Sequence, residues 1–256
     1  MVVGLDLFIQ HFESYTDHYV LIGGSACDWQ MEQKGLPFRA TKDIDIILIV
    51  EALSDEFVNH FWQFIKDGEY AIAQVGEKKQ FYRFIKPQAV GFPTMIELFS
   101  RRPDLIKEVE GMHLTDIPTG VEASSLSAIL LDEEYYKFAL SNTQLIDGLH
   151  LANDFALICL KARAFINNVK RKADGQEIRS DDISKHKNDV IRLTATLTPN
   201  VVIPIPDIVK QDLTEYINTI RTENPDIKQL LKEQGAANTT LEEIIEQLEI
   251  TFALKQ

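Results

Sequence analysis

The segment from Tyr19 to Val50 constrains the fold more than any other part of the chain. An apolar run ends in the glycine pair Gly23 and Gly24, and a short amphipathic segment follows it. A second apolar run then opens with Asp-Ile-Asp at positions 43–45. The order of strand, glycine turn, helix and acidic strand indicates a metal-dependent phosphate site.

Asp43 and Asp45 are the first candidates for chemistry in this segment. Residues two apart on a β-strand point to the same face, with Cα atoms roughly 6.6 Å apart. Both carboxylates would then reach one divalent cation or a close pair of them. Mg²⁺ prefers oxygen ligands and keeps several waters, so two or three carboxylates plus substrate phosphates are sufficient. We predict Asp43 and Asp45 as catalytic residues and metal ligands for Mg²⁺ or Mn²⁺.

The glycine turn is predicted to bind phosphate. Backbone N–H groups at glycine approach a phosphate closely because no Cβ intervenes. We expect Ser25 to cap a helix over roughly residues 25–34, with the positive end of that helix facing the site. Gly23, Gly24 and Ser25 would then contact the β- and γ-phosphates of a nucleotide through backbone amides and one hydroxyl.

Glu97 is the candidate for a third carboxylate. It lies inside the apolar run 95–99, where a carboxylate is costly to bury without a partner. If that run is a strand beside the acidic pair, a strand spacing of about 4.8 Å brings Glu97 within reach of the same cations. The alternative is an outward-facing residue on an edge strand, and Asp104 is the second candidate for the role. Glu97 is therefore predicted as a catalytic residue and metal ligand.

The acidic pair closes an Arg-x-Thr-x-Asp-Ile-Asp motif that begins at Arg39 and includes Thr41. Together with the glycine turn, this motif resembles the polymerase-β-type nucleotidyltransferases, and within them the AbiEii-type enzymes of bacterial abortive-infection and toxin–antitoxin systems. The resemblance implies an α+β fold with two domains. A nucleotidyltransferase domain of mixed sheet and flanking helices would cover residues 1–150, and a helical domain completing the nucleotide site would cover 151–256. Arg39 and Thr41 would bind the nucleotide or fix the loop before the strand.

The resemblance extends to the helical half of the chain. AbiEii-type enzymes carry a helix with a Lys-x-x-Ala pattern, matched here by Lys161 and Ala164, and a later acid after a basic residue, matched by Asp189. The resemblance implies that Lys161 contacts the triphosphate and that Asp189 orients Lys161 or the base. The arginine that the family places four residues after Ala164 is Asn168 in this chain.

The resemblance implies transfer of a nucleoside monophosphate from a nucleoside triphosphate to an acceptor hydroxyl by a two-metal mechanism. RNA, in particular the tRNA acceptor end, is a known class of target in the family that the chain resembles, and a cognate antitoxin is a candidate partner. Three alternatives stay open: a small-molecule acceptor such as an antibiotic, a protein acceptor, or a catalytically silent binding module. A silent member is expected to lose an acid, whereas Asp43, Asp45 and Glu97 are all present.

The charge of the chain narrows the choice of acceptor. A net charge of -13 argues against broad, non-specific binding of nucleic acid. Between Lys161 and Arg192 basic residues outnumber acidic ones, and this segment could hold a triphosphate or an RNA end or could simply be solvated. No apolar run approaches the roughly 20 residues that span a bilayer, and the start of the chain does not favour a secretory signal. We expect a cytoplasmic protein with no membrane partner.

Periodicity predicts the remaining elements. Strands are expected at 18–22, 43–50, 70–75, 80–86 and 95–99, with a further candidate at 124–131. Helices are expected within 3–17, after Ser54, from 151 onwards, and near 181–195, 206–221, 225–233 and 240–253.

Overall fold

A computed structural model of the chain describes residues 2–75, 78–99, 101 and 132–254. Over these residues the chain is an α+β protein with a mixed seven-stranded sheet and nine α-helices. It divides into two compact units. The first holds Met1–Trp29, Phe38–Ala123 and Thr143–Ala152, and the second holds Gln30–Pro37, Ser124–Asn142 and Asn153–Gln256. Within the described ranges, no helix is long and apolar enough to cross a membrane.

The sheet lies in the first unit and places the acidic strand near its centre. Its strands are β1 (Tyr19–Ile22), β2 (Asp43–Leu48), β3 (Ala71–Val75), β4 (Lys78–Ile85), β5 (Met95–Phe99), β6 (Thr143–Ile146) and β7 (Leu149–Ala152). Their order is β3-β4-β5-β2-β1-β7-β6. The pairs β2–β5 and β1–β7 are parallel, and the other neighbours are antiparallel. The acidic strand β2 is therefore flanked by β1 and β5.

Helix α3 (Asp55–Asp67) covers one face of the sheet. Its N-terminus is capped by Ser54, whose hydroxyl accepts a hydrogen bond from the Phe57 amide at 3.1 Å. Phe84 of β4 packs edge-on against Phe61 and Trp62 of α3, with ring centres 5.6 and 5.4 Å apart. Helix α1 (Leu5–His11) adds aromatic contacts to the same layer. This face of the sheet is consequently apolar.

The alternation of β2 then sends the acids to the opposite face. Ile44 and Ile46 are fully buried, whereas Asp43 and Asp45 are half-buried. Ile44 pairs with Ile96 across to β5, which puts both isoleucines on the side that α3 covers. The two aspartates face away from α3 because side chains alternate along a strand.

The second unit is helical. Its main helices are α4 (Glu133–Ser141), α5 (Asp154–Ala173), α6 (Ser180–Thr194), α7 (Asp207–Glu223), α8 (Lys228–Lys232) and α9 (Leu241–Thr251). Helix α5 begins after Asn153, whose side chain accepts from the Ala156 amide, and α9 begins with a capping box between Thr240 and Glu243. Phe165 of α5 packs edge-on against Tyr216 of α7 at 5.4 Å.

Several predicted boundaries differ from the structure. Helix α2 (Gly23–Gln33) begins at Gly23 instead of Ser25. Strand β2 ends at Leu48, and a short 3₁₀ turn over Val50–Ala52 follows. The predicted strand at 124–131 lies outside the described residues.

The hairpin formed by β6 and β7 was not predicted from the sequence. The sequence predicts a helix from residue 151 onwards, but Leu151 lies in β7 beside Leu21 of β1. The turn is Asp147-Gly148, with φ angles of 49° and 78°. An Asp-Gly pair between apolar segments is a strong hairpin signal, so the information was present in the sequence.

Candidate functional site

Gly23 lies at the junction of β1 and α2, directly against the side chain of Asp45. Its φ angle is +72°, in the left-handed region that favours glycine. A Cβ added at this position would lie 1.8 Å from Oδ2 of Asp45. Glycine is therefore required both by the backbone and by the space that the carboxylate occupies.

Gly24 brings the Arg-x-Thr part of the motif to the same turn. A Cβ at Gly24 would lie 2.6 Å from Oγ1 of Thr41 and 3.4 Å from Nη2 of Arg39. The guanidinium carbon of Arg39 also lies 5.4 Å from the ring centre of Phe38. The side chains of Arg39, Thr41 and Asp45 thus form one polar cluster that packs against the two glycines.

Ser25 is predicted to cap α2, but the structure places it inside the helix. It lies within the first turn of α2 and is fully buried, so it is not the residue that caps this helix. Its hydroxyl donates a hydrogen bond to the backbone carbonyl of Asp43. This bond ties the start of α2 to the start of β2 and holds the glycine turn close to the acidic strand.

Glu97 lies beside the acidic pair in the sheet. Strand β5 runs parallel to β2, and the register pairs Asp45 with Glu97 and Asp43 with Met95. Paired residues on adjacent strands share a face, so the Glu97 position is on the same face as both aspartates. The strand that carries Glu97 therefore lies beside the acidic strand, as a third carboxylate at this site requires. The second candidate, Asp104, lies outside the described residues.

The carboxylate of Glu97 forms an ion pair with Arg83. Arg83 of β4 pairs with Glu97 across the antiparallel ladder, and its Nε donates to Oε1 of Glu97. The Arg83 side chain is 33 % exposed and that of Glu97 is 14 % exposed, so the pair is partly screened by water. A guanidinium on one neighbouring strand and Asp45 on the other thus flank Glu97.

Asp43 and Asp45 fit a divalent cation by their chemistry, while Glu97 stays apart. Among the residues that the structure describes, no three His, Cys, Asp or Glu side chains are grouped so that they could hold a metal ion. Two half-buried carboxylates on one face nonetheless supply the hard oxygen donors that Mg²⁺ and Mn²⁺ take, with phosphate and water as further ligands. Glu97 would have to leave Arg83 to join them.

Lys161 and Asp189 form a buried ion pair in the helical unit. Nζ of Lys161 on α5 lies 3.2 Å from Oδ2 of Asp189 on α6, and the two side chains are 4 % and 0 % exposed. Nη1 of Arg192 lies 3.8 Å from the other oxygen of Asp189. The structure thus brings together the two residues that the sequence paired. Their contact with a triphosphate stays a prediction.

Most basic residues between 161 and 192 have acidic partners. Buried or half-buried examples are Lys161 with Asp189, Arg163 with Asp212, and Lys187 with Glu223. More exposed examples are Lys170 with Glu215, Arg179 with Asp181, and Lys185 with Asp182. These acids neutralise the local positive charge that a polyanion would need. The pairing weakens the case for an extended RNA-binding face on this segment.

Arg83 is the residue at this site that sequence reasoning missed. The alternating stretch around Arg83 was predicted as a strand, but no role was assigned to its only arginine. The available signal was one arginine inside the alternating stretch 81–85, followed in sequence by a strand with a single carboxylate. That signal becomes specific only once β4 and β5 are known to be neighbours.

Comparisons of the chain with protein-family models, with curated proteins and with solved structures gave no match. We therefore infer a function from the geometry of the site and from the motif resemblance.

Proposed function

We propose that this protein is a nucleotidyltransferase that moves a nucleoside monophosphate from a nucleoside triphosphate to an acceptor hydroxyl. The observation that carries the proposal is the pairing of Glu97 with Asp45 on adjacent parallel strands, next to a glycine turn that packs on Asp45. Two aspartates, a third carboxylate and a glycine turn at the start of a helix are the parts that such a reaction needs. They come from separate parts of the chain and lie on one face of one sheet.

In the proposed reaction, the acceptor oxygen bonds to the α-phosphorus as the bond to pyrophosphate breaks. Asp43 and Asp45 would hold the divalent cations, which supply charge stabilisation to the attacking and leaving oxygens. The backbone amides of Gly23 and Gly24 would bind the outgoing phosphates at the N-terminus of α2, where the first amides of a helix have no partner within the helix. Glu97 would take the proton of the acceptor hydroxyl, directly or through a water.

Arg39 and Thr41 suit a supporting role at the phosphates. Both lie against Gly24, where a guanidinium and a hydroxyl would meet a phosphate bound to the turn. The hydroxyl of Ser25 is hydrogen-bonded to the Asp43 carbonyl, so the serine is better suited to fixing the turn than to donating to a phosphate. Lys161 and Asp189 stay candidates for nucleotide contact on the evidence of the motif alone.

A polycationic small molecule is the second candidate acceptor, beside RNA. The chain carries a net charge of -13, and its most basic segment is largely paired with acids. A cationic acceptor is attracted by such a surface, whereas an extended RNA is repelled by it. A nucleotide-binding module without activity is the third candidate, supported by the Arg83–Glu97 ion pair.

The test incubates the protein with each α-labelled nucleoside triphosphate, Mg²⁺, and cellular RNA, protein or an aminoglycoside in separate reactions. We expect transfer of label with the wild type and a loss of at least about 100-fold for Asp43→Asn or Asp45→Asn, which corresponds to about 2.7 kcal/mol of barrier. Asp147→Asn is the matched control, because Asn-Gly forms the same hairpin turn as Asp-Gly.

Each outcome distinguishes the candidates. The labelled product identifies the acceptor class. Binding of triphosphate that depends on Asp43 and Asp45 without any transfer supports the silent module. Equal activity in the wild type and both aspartate variants contradicts the proposed site.

A further inference from the structure

Three charged positions form a row across three neighbouring strands of the sheet. Arg83 of β4 pairs with Glu97 of β5, and Glu97 pairs with Asp45 of β2. Adjacent strands are about 4.8 Å apart, so Glu97 has a cation on one side and a carboxylate on the other. Its own carboxylate is on the side of Arg83.

The two members of this ion pair differ in their access to water. The Glu97 side chain is 14 % exposed, whereas the Arg83 side chain is 33 % exposed. If Glu97 leaves, water can solvate the guanidinium, which keeps the cost of separation lower than in a fully buried pair. The partner of Glu97 is therefore exchangeable.

A bound divalent cation competes directly with Arg83. At equal distance and in the same surroundings, a dication attracts a carboxylate twice as strongly as a guanidinium does, because its charge is twice as large. Without a bound cation, the Asp45 carboxylate repels the Glu97 carboxylate, so Glu97 stays on the side of Arg83. One cation is offset by the charges of Asp43 and Asp45, so we expect Glu97 to turn towards β2 only when the triphosphate brings a second cation to the site.

We propose that Arg83 is a positioning residue that holds Glu97 away from Asp43 and Asp45 until a metal–triphosphate complex attracts it. This inference rests on the proposed function, because it takes the two aspartates as metal ligands. In the free protein the aspartates bind a cation without Glu97. Glu97 joins only when the substrate complex is in place, so the third carboxylate completes the site together with the substrate.

The test measures Mn²⁺ affinity of the nucleotide-free full chain by electron paramagnetic resonance of unbound Mn²⁺, with no activity readout. The variants are Glu97→Gln, Arg83→Met and the double variant. In the wild-type background we expect Glu97→Gln to change the Kd for Mn²⁺ by less than about twofold. In the Arg83→Met background the same change should weaken binding by about fivefold or more, a coupling typical of residues in one network.

Several results overturn the proposal. An equal effect of Glu97→Gln in both backgrounds means that Arg83 does not control the carboxylate. No effect in either background means that Glu97 does not ligate. Weaker binding of metal-free triphosphate in Arg83→Met means that Arg83 binds phosphate instead. Unchanged Mn²⁺ binding in Asp43→Asn and Asp45→Asn means that the aspartates are not metal ligands. That result contradicts the proposed function itself, whereas the other results contradict only the role of Arg83.

A second measurement needs no Arg83 variant and covers the case in which Arg83→Met does not fold. The Nε–Hε resonance of Arg83 is followed by NMR as Mg²⁺ and a non-hydrolysable triphosphate are added. We expect it to shift in the wild type when both ligands are present and to stay fixed in Glu97→Gln. A resonance that is unchanged in the wild type at saturating ligand contradicts release of Glu97.

Discussion

The acidic face of the sheet and the interior of the helical unit hold the same kinds of charged residue in different ways. On the sheet, Asp43, Asp45 and Glu97 are half-buried. In the helical unit, the side chain of Asp189 is 0 % exposed and that of its partner Lys161 is 4 % exposed. Water compensates the first group when a partner leaves, but it cannot reach the second. Burial, and not residue type, therefore separates exchangeable charges from structural ones.

The largest effect is expected at the buried pair. Asp189→Asn leaves the Lys161 ammonium buried without its carboxylate, which should lower the free energy of unfolding by about 3–5 kcal/mol in urea denaturation. Asp182→Asn is the control, because its partner Lys185 is 40 % exposed and the loss there should stay below about 1 kcal/mol. Equal and small losses in both variants would break the comparison between the two regions.

Gly23→Ala tests how closely the turn is fitted to Asp45. The control is Gly91→Ala, since Gly91 has a similar positive φ of +89° but no atom within 4 Å of an added Cβ. Both variants carry the backbone strain of roughly 1–2 kcal/mol. Gly23→Ala must also displace the Asp45 carboxylate, so we expect an additional loss of about 1–3 kcal/mol in unfolding free energy.

Metal binding sharpens the same test. Because the displaced group is a predicted metal ligand, Gly23→Ala should weaken Mn²⁺ binding and Gly91→Ala should not. If Gly23→Ala has the same unfolding free energy and the same Mn²⁺ affinity as Gly91→Ala, the turn tolerates a side chain.

Tyr135 tests the buried network of the helical unit. Its hydroxyl donates to Asp212 at 2.6 Å, and Nη1 of Arg163 lies 2.7 Å from the same oxygen. Tyr135→Phe removes one hydrogen bond but leaves Asp212 paired with Arg163, so the loss at neutral pH should be about 1–2 kcal/mol.

The same tyrosine should make the protein sensitive to alkaline pH. Burial, and then the charge of Asp212, raise the pKa of Tyr135. The folded-state pKa lies above the unfolded value of about 10, so this contribution is full below pH 10 and is lost as the pH rises above it. Above pH 10, Tyr135 should add about 1.4 kcal/mol per pH unit to the fall of the unfolding free energy with pH, and this part should be absent from Tyr135→Phe. Identical slopes between pH 10 and 11 would exclude this group as the cause.

The smallest stability effect is expected on the half-buried acidic face of the sheet. Asp45→Asn removes a charge from a face with other carboxylates, so the free energy of unfolding should change by less than about 1 kcal/mol. The same variant should lose Mn²⁺ binding. A loss of stability as large as that of Asp189→Asn would assign Asp45 a structural role instead.

Most elements could be predicted from local sequence because their causes are local. The alternation of Ile44 and Ile46 with the two aspartates defines β2, and Ser54 defines the start of α3. The prediction failed where a distant bond decided the outcome. The helix begins at Gly23, and the Ser25 hydroxyl, which the sequence predicts as its cap, is bonded to the Asp43 carbonyl instead. The Asp147-Gly148 pair favours a hairpin, but Leu151 also fits the helical period of the residues after it, and the pairing of β7 with β1 decides between the two.

The sequence by itself determined that two carboxylates share one face of a strand and that a glycine turn precedes them, because steric rules act between neighbours along the chain. Only the tertiary structure decided that Glu97 stands beside Asp45, that Arg83 pairs with Glu97, and that Asp189 is buried against Lys161. These pairings join residues that are far apart in sequence. They depend on strand order, register and helix packing, which are set by the whole hydrophobic core and not by any local motif.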